Sequence, residues 1–173
     1  MSANFFKRKT ISPIVNAGGP LPKEQLRAMS NDHYWTVLNC SHLKEINKGD
    51  GVLIANVNAL KNALQTYGPT SKEQLPDFRN NTGKAKGSVF HGHAKSGGTT
   101  YVLEWAVIDP KKRIMALVGF GVHENYPFRQ KPLTSIEKES ILLSPENQKI
   151  MKHAAKKITE AKEKVERLEY KLA

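Results

Sequence analysis

The fold is decided by residues 88–129, which read SVFHGHAKSGGTTYVLEWAVIDPKKRIMALVGFGVHENYPFR. This stretch contains three runs, at residues 89–95, 99–109 and 113–121, that are rich in β-branched, aromatic and other apolar residues. Such runs favour β-strands. The sequences between them, Ser-Gly-Gly and Asp-Pro-Lys-Lys, are typical of turns. We therefore predict three consecutive strands that pair in chain order, the last two as a hairpin.

The first predicted strand has two chemically different faces. Because side chains alternate along a strand, His91, His93 and Lys95 share one face, and the apolar or small residues between them share the other. His123 and Tyr126 directly follow the third run. If the strands pair in order, these two residues lie at the end of the sheet near the histidine face.

Helical patterns precede this sheet. One predicted helix has Pro22 in its first turn and ends near Asn31, and Asp50 can cap a second helix whose apolar residues recur every three or four positions. Residues 33–40 are rich in aromatic and β-branched types and fit either a helix or a strand. The polar and basic stretch 70–87 predicts a loop.

Two further helices are predicted after the sheet. Thr134 and Glu137 have the spacing of a capping box, and Ser144 precedes a longer final helix. That helix carries an apolar stripe at spacings of four and three, which requires a partner surface. The stripe consists of Ile150, Ala154, Ile158, Ala161, Val165, Leu168 and Leu172.

These patterns together predict an α+β fold. We expect an antiparallel sheet of about four strands with the N-terminal helices packed on one face and an additional C-terminal helix. Residues 1–143 would form this domain, including an N-terminal extension. Residues 144–173 would form an amphipathic helix that belongs to the same domain or binds a partner.

The composition indicates what kind of partner and which compartment to expect for this protein. The 173 residues suffice for one domain with a sizeable core, and the formal net charge of +11 makes a polyanion such as a nucleic acid the first partner to consider. The single Cys40 cannot form an internal disulfide, which fits a reducing compartment. The sequence has neither an apolar run of membrane-spanning length nor the apolar core of a signal peptide. We expect a cytoplasmic protein that does not bind membranes.

The polar residues of the predicted sheet suit the cleavage of RNA without a metal. In that reaction the ribose 2′-hydroxyl attacks the adjacent phosphorus, which requires a base, an acid for the leaving 5′-oxygen and cations for the phosphate oxygens. Histidine suits the first two roles, and lysine or arginine suits the third. The predicted catalytic residues are His91, His93, Lys95, His123 and Tyr126, and the predicted RNA-binding residues are Lys84, Lys86, Arg113 and Arg129.

These residues also have interpretations without catalysis. His91 and His93 fit equally well a solvent-facing pair on an edge strand, and with His123 they could bind zinc, although no cysteine or further histidine at ligand spacing supports a metal site. Glu104 lies mid-strand among apolar residues and fits a salt-bridged structural carboxylate. Trp105 fits the core better than a surface on which bases stack.

The second half of the sheet resembles toxins of the RelE/ParE superfamily. The resemblance rests on YVLEWAVID at 101–109, IMALVGFG at 114–121 and HENY at 123–126. Members typically read Tyr-Arg-Leu-x-Tyr-x-Val-Asp, a hairpin, an apolar strand ending in Gly, and then a basic residue or His followed by Tyr. The resemblance implies a compact antiparallel sheet with two helices on one face. Many members are metal-independent RNases that cut mRNA, often on the ribosome.

The resemblance also concerns the preceding strand, from which these enzymes supply active-site residues. His91, His93 and Lys95 occupy that place. The chain departs from the family at Val102, where the nucleases commonly have a phosphate-binding arginine, so this role passes to Lys95 or to one of the predicted RNA-binding arginines. Its length is nearly twice the usual one and is closer to toxin domains of bacterial competition systems. ParE-like members instead inhibit gyrase.

We therefore predict a cytotoxic endoribonuclease that acts on mRNA or tRNA without a cofactor. The implied partners are RNA, in some members on the ribosome, and a cognate antitoxin or immunity protein. The alternative is a non-catalytic basic module that binds RNA or a protein target, including ParE-like inhibition of an enzyme. A third hypothesis makes the final helix the functional part and predicts self-association or partner capture through it.

Overall fold

A computed structural model describes residues 19–40, 50–71, 79–80, 88–129 and 131–172. The helices of this part of the chain are α1 (Pro22–Ser30), α2 (Gly51–Tyr67), α3 (Ser135–Leu143) and α4 (Pro145–Leu172). The strands are β1 (Thr36–Asn39), β2 (Arg79–Asn80), β3 (Val89–Ser96), β4 (Thr99–Asp109) and β5 (Ile114–Val122). A short 3-10 helix, His123–Asn125, follows β5. None of the described helices is long and apolar enough to cross a membrane.

The strands form one sheet in the order β1-β5-β4-β3-β2. β3, β4 and β5 pair antiparallel in chain order, as their turn sequences predict. β1 pairs parallel with β5, from Thr36 opposite Ile114 to Asn39 opposite Leu117. The α+β class is thus correct, whereas the prediction of a purely antiparallel sheet is wrong.

The error arose from residues 33–40, whose composition fits a helix as well as a strand. Here they contribute β1, which lies at the sheet edge beside β5. No hairpin links these two strands, because α2 and the three strands β2, β3 and β4 lie between them in the chain. A connection of this length permits parallel pairing, which a tight turn does not.

α2 covers one face of the sheet. Asp50 caps this helix as predicted, since its carboxylate accepts a hydrogen bond from the Leu53 backbone N–H at 3.0 Å. Leu53 and Leu60 are buried against Leu103 and Trp105 of β4. This apolar contact between helix and sheet forms the main core of the described domain.

The opposite face is covered by α3 and by the first turns of α4. Ala106 and Ile114 of the sheet pack with Leu133 and Ile141. The predicted capping box at Thr134 begins α3. Helices therefore lie on both faces of the sheet, and α1 packs mainly against α4.

A buried amide joins α4 to the sheet edge. Asn147 is 1% exposed, and its Nδ2 donates hydrogen bonds to the carbonyls of Asn39 and Ile141, both at 2.8 Å. Its Oδ1 accepts a bond from the Asn39 backbone N–H at 3.1 Å. The side chain thus pairs with β1 as the backbone of a further strand would.

The apolar stripe of α4 is covered only along part of its length. Ala154 and Ala161 are buried, and Ile158 packs with the cluster that α1 forms. Leu168 and Leu172 are exposed, the latter by 88%. The first half of the helix therefore packs on the domain, and the apolar residues of its last turns face solvent in the described chain.

Candidate active site

The predicted histidine face lies on the side of the sheet opposite α2. His91 pairs across the sheet with Glu104, and His93 pairs with Val102. The next strand places glycines beside both partners, because Glu104 pairs with Gly119 and Val102 with Gly121. This part of the sheet surface therefore has two histidines on β3, a carboxylate on β4 and no side chain at the paired positions of β5.

Phe128 fills the space above these glycines. A Cβ atom at Gly121 would lie 2.7 Å from two ring carbons of Phe128, and one at Gly119 would lie 3.2 Å from the Phe128 Cβ. Such distances are shorter than ordinary van der Waals contact, so a side chain at either position would displace Phe128. The two glycines let residues 126–129, which we call the crossing segment, pass over the sheet at close range.

Glu104 holds that crossing segment in place. Its side chain is fully buried, and its Oε1 accepts hydrogen bonds from the backbone N–H groups of Phe128 at 3.0 Å and Arg129 at 3.2 Å. The same Oε1 lies 2.4 Å from the position that a Cβ at Gly119 would take. The carboxylate therefore fits between strand and crossing segment only because Gly119 lacks a side chain.

The 3-10 helix and the crossing segment bring His123 and Tyr126, respectively, to the histidines of β3. The ring centres of His91 and Tyr126 lie 4.4 Å apart, and those of His93 and His123 lie 5.3 Å apart. His91 and His93 are in edge-to-face contact at 5.4 Å, and His123 and Tyr126 stack at 6.3 Å. These four side chains, which we call the histidine–tyrosine cluster, form a closed ring of contacts, as the strand order predicted.

Exposure differs sharply within the histidine–tyrosine cluster. His91 is only 6% exposed, His93 and Tyr126 are half-buried, and His123 is exposed. A substrate can therefore reach His123 directly and His93 in part, while His91 lies beneath them. Lys95 is exposed and follows His93 by two positions, so strand alternation places it on the same face.

The predicted RNA-binding residues are distributed over several places. The Arg129 guanidinium donates to Glu137 Oε1 at 2.7 Å and to the Pro132 carbonyl at 3.2 Å. This bond from Arg129, followed by the bond from the Thr134 backbone N–H, lowers the pKa of Glu137. Arg129 thus ties the crossing segment to the start of α3.

Arg113 does not belong to the cluster. It precedes β5, whereas His123 follows β5, and nine residues of strand span roughly 30 Å. Lys84 and Lys86 lie outside the described residues. Of the two predicted RNA-binding residues that the structure describes, Arg129 lies beside the cluster and Arg113 does not.

Two contributors to this site went unrecognised in the sequence. The sequence predicts a salt-bridged structural carboxylate at Glu104 but not that its Oε1 accepts from the backbone N–H groups of Phe128 and Arg129. Phe128 is not among the residues that the sequence predicts for the site. A usable signal was present, because alternating Gly119 and Gly121 in an apolar strand indicate a close approach of other chain atoms. Trp105 is a core residue, as expected.

Within the described part of the chain, no group of three or more His, Cys, Asp or Glu side chains has an arrangement that could hold a metal ion. The ring of His93 contacts the rings of both His91 and His123. None of the known family models, curated proteins or solved structures compared with the chain matches it significantly.

Proposed function

We propose that the protein is an endoribonuclease of RelE-like type that cleaves RNA without a metal. The observation that carries this proposal is the histidine–tyrosine cluster. In this cluster the ring centre of the exposed His123 lies 5.3 Å from the ring centre of the half-buried His93. Two groups that act on one phosphate are separated by about two hydrogen bonds of roughly 2.8 Å each plus the phosphate itself. The two ring centres lie closer together than this, so one phosphate would contact both rings from their exposed side rather than lie between them.

The reaction would use the cluster as follows. One imidazole, neutral at the start, removes the proton of the ribose 2′-hydroxyl, and the 2′-oxygen forms a bond to phosphorus. The bond from phosphorus to the 5′-oxygen breaks, and a protonated group donates a proton to that oxygen. We assign these two roles to His123 and His93, because they are the histidines that a substrate can reach. The products are a 2′,3′-cyclic phosphate and a 5′-hydroxyl.

Other residues support this pair. Lys95 is exposed on the same face and supplies positive charge to the phosphate oxygens. Tyr126 is half-buried, contacts both His91 and His123, and fixes where their rings lie. His91 is too deeply buried to reach a substrate, so we assign it to support His93 and Tyr126 from below.

The biological setting of this proposal is a toxin. The net charge of +11 favours a polyanionic substrate, for which we propose mRNA or tRNA, and favours an acidic inhibitor of the antitoxin or immunity type. Such an inhibitor would have to cover His123 or Lys95, since these are the exposed members of the site.

The decisive experiment incubates purified protein with total RNA in EDTA and maps the cut ends. The His93→Ala and His123→Ala variants should each slow cleavage by about two to four orders of magnitude and leave RNA affinity nearly unchanged. His153→Ala, which removes an exposed histidine of α4, is the matched control and should cut normally.

Three outcomes would refute the proposal. Full activity of the His93→Ala, His123→Ala double variant would exclude the site. RNA affinity without cleavage in the wild type would favour the non-catalytic binding module. Loss of activity in EDTA that zinc restores would favour a metal site.

A further inference from the structure

The buried position of Glu104 is energetically unfavourable for a carboxylate. An ionised carboxylate in a protein interior is unfavourable unless it is paired or hydrogen-bonded, yet this side chain is fully buried within a largely apolar sheet. Its Oε1 accepts from two consecutive backbone N–H groups, those of Phe128 and Arg129. Buried N–H groups require acceptors, and the crossing segment lies outside any strand or helix that could provide them.

The carboxylate is connected to the exposed end of the site through a short series of contacts. Phe128 follows Tyr126 by two positions, and the Tyr126 backbone N–H donates to the His123 carbonyl at 3.1 Å. The Tyr126 ring in turn lies 4.4 Å from the His91 ring. His91 pairs directly with Glu104 across the sheet. Glu104 is therefore linked to Tyr126 both through Phe128 and through His91.

The opposite end of the crossing segment is also held. Arg129 donates its backbone N–H to Glu104 and its guanidinium to Glu137 at the start of α3. The segment is thus fixed to the sheet at Phe128 and to a helix at Arg129. Tyr126 precedes Phe128 by only two positions, so its place above the sheet depends on the bond at Phe128.

We infer that Glu104 is a positioning residue of the histidine–tyrosine cluster. It does not touch the substrate, since it is fully buried. It sets the height and orientation of the crossing segment above β3, and thereby the contact of Tyr126 with His91 and the separation of His123 from His93. Its effect on cleavage rests on the proposed function, whereas its effect on the ring contacts does not.

Two variants test the inference by different means. Glu104→Gln keeps the shape of the side chain and removes the charge that strengthens both hydrogen bonds. Gly119→Ala keeps the charge and displaces the carboxylate, because the new Cβ would lie 2.4 Å from Oε1. Gly98→Ala is the matched control, since a Cβ there meets nothing within 4 Å.

The readouts are nuclear Overhauser contacts between the rings of His91 and Tyr126, and steady-state kinetics on RNA. Both test variants should stay folded and lose these contacts, and kcat should fall about tenfold or more with little change in KM, because charged hydrogen bonds are roughly twice as strong as neutral ones. The control should resemble the wild type in both readouts.

The outcomes separate this inference from the proposed function. If the folded variants keep the ring contacts, Glu104 contributes only stability and the inference is wrong. If both variants unfold, the carboxylate serves the fold rather than the cluster, and the inference is equally overturned. If the wild type does not cut RNA but the variants lose the ring contacts, the proposed function fails while the positioning role stands.

Discussion

Replacement of Asn147 by aspartate should destabilise the protein strongly, although helix rules alone predict the reverse. Asn147 is the third residue of α4, and a negative charge in the first turn of a helix usually stabilises it by about 0.3–1 kcal/mol. Here, however, the side-chain nitrogen donates to two carbonyls at 2.8 Å, and a carboxylate would place its charge against both oxygens.

The magnitude follows from these contacts. Two lost hydrogen bonds cost about 1 kcal/mol each, and a buried charge whose one described donor is the Asn39 backbone N–H adds further destabilisation of about 1–3 kcal/mol. We expect the free energy of unfolding to fall by about 3–5 kcal/mol at neutral pH, which for a protein of this length lowers Tm by roughly 6–20 °C. Thermal and urea unfolding measure this change.

The same variant has a pH signature. Burial against carbonyl oxygens raises the folded-state pKa of the introduced carboxyl, so protonation favours the folded state. The loss in free energy of unfolding, relative to the wild type, should therefore be largest at neutral pH. It should shrink as the pH falls through the raised folded-state pKa and be smallest below the ordinary Asp pKa of about 3.9.

Gln148→Glu is the matched control, because it makes the same chemical change at the next residue, which is exposed and donates one described side-chain hydrogen bond, to the Leu142 carbonyl at 2.6 Å. Its effect should stay within about 1 kcal/mol. An Asn147→Asp variant as stable as this control, or one whose deficit grows as the pH falls, would refute the role given to the buried amide.

Further predictions concern the site, the acid response and the final helix. Gly121→Ala should destabilise by about 1–3 kcal/mol in urea titrations, because its Cβ would lie 2.7 Å from the Phe128 ring. The lowered pKa of Glu137 means that its ion pair contributes stability above the ordinary Glu pKa and loses it as the pH falls through the lowered value, so Glu137→Gln should flatten the acid end of a Tm-versus-pH curve. Ala161→Asp should lower Tm by several degrees, whereas Leu172→Asp should leave it unchanged, since only the former side chain is buried. If RNA is the ligand, filter-binding affinity should fall steeply and linearly in a plot of log affinity against log salt.

Local patterns predicted much of this structure. The caps at Asp50 and Thr134 depend on neighbours within a few positions, and both are found as predicted. The meeting of His123 with His93 also followed from the sequence, because β3, β4 and β5 are consecutive and pair in order. The order of consecutive strands places residues that directly follow a strand near one end of the sheet, and strand periodicity gives the faces of residues within the strands.

Contacts between distant parts of the chain could not be predicted in this way. The parallel pairing of β1 depends on which free sheet edge it meets, and the role of Asn147 depends on a strand that lies 108 positions earlier. Glu104 accepts from residues that are 24 and 25 positions away, in a segment that has no periodic pattern. A pattern over neighbouring residues carries no information on such partners.

The place of β1 in the sheet also bears on how the chain folds. Thr36 pairs with Ile114, 78 positions further along (114 minus 36). β3, β4 and β5 need only short turns to pair, so loop-closure entropy favours their association first, with β1 docking later onto the free edge of β5. During synthesis the order is reversed, because β1 leaves the ribosome well before its partner exists and its polar backbone edge must wait unpaired. On its outer side, Asn39 gains its backbone partners only when Asn147 arrives, so this end of β1 stays open to misassociation until the start of α4 has been made.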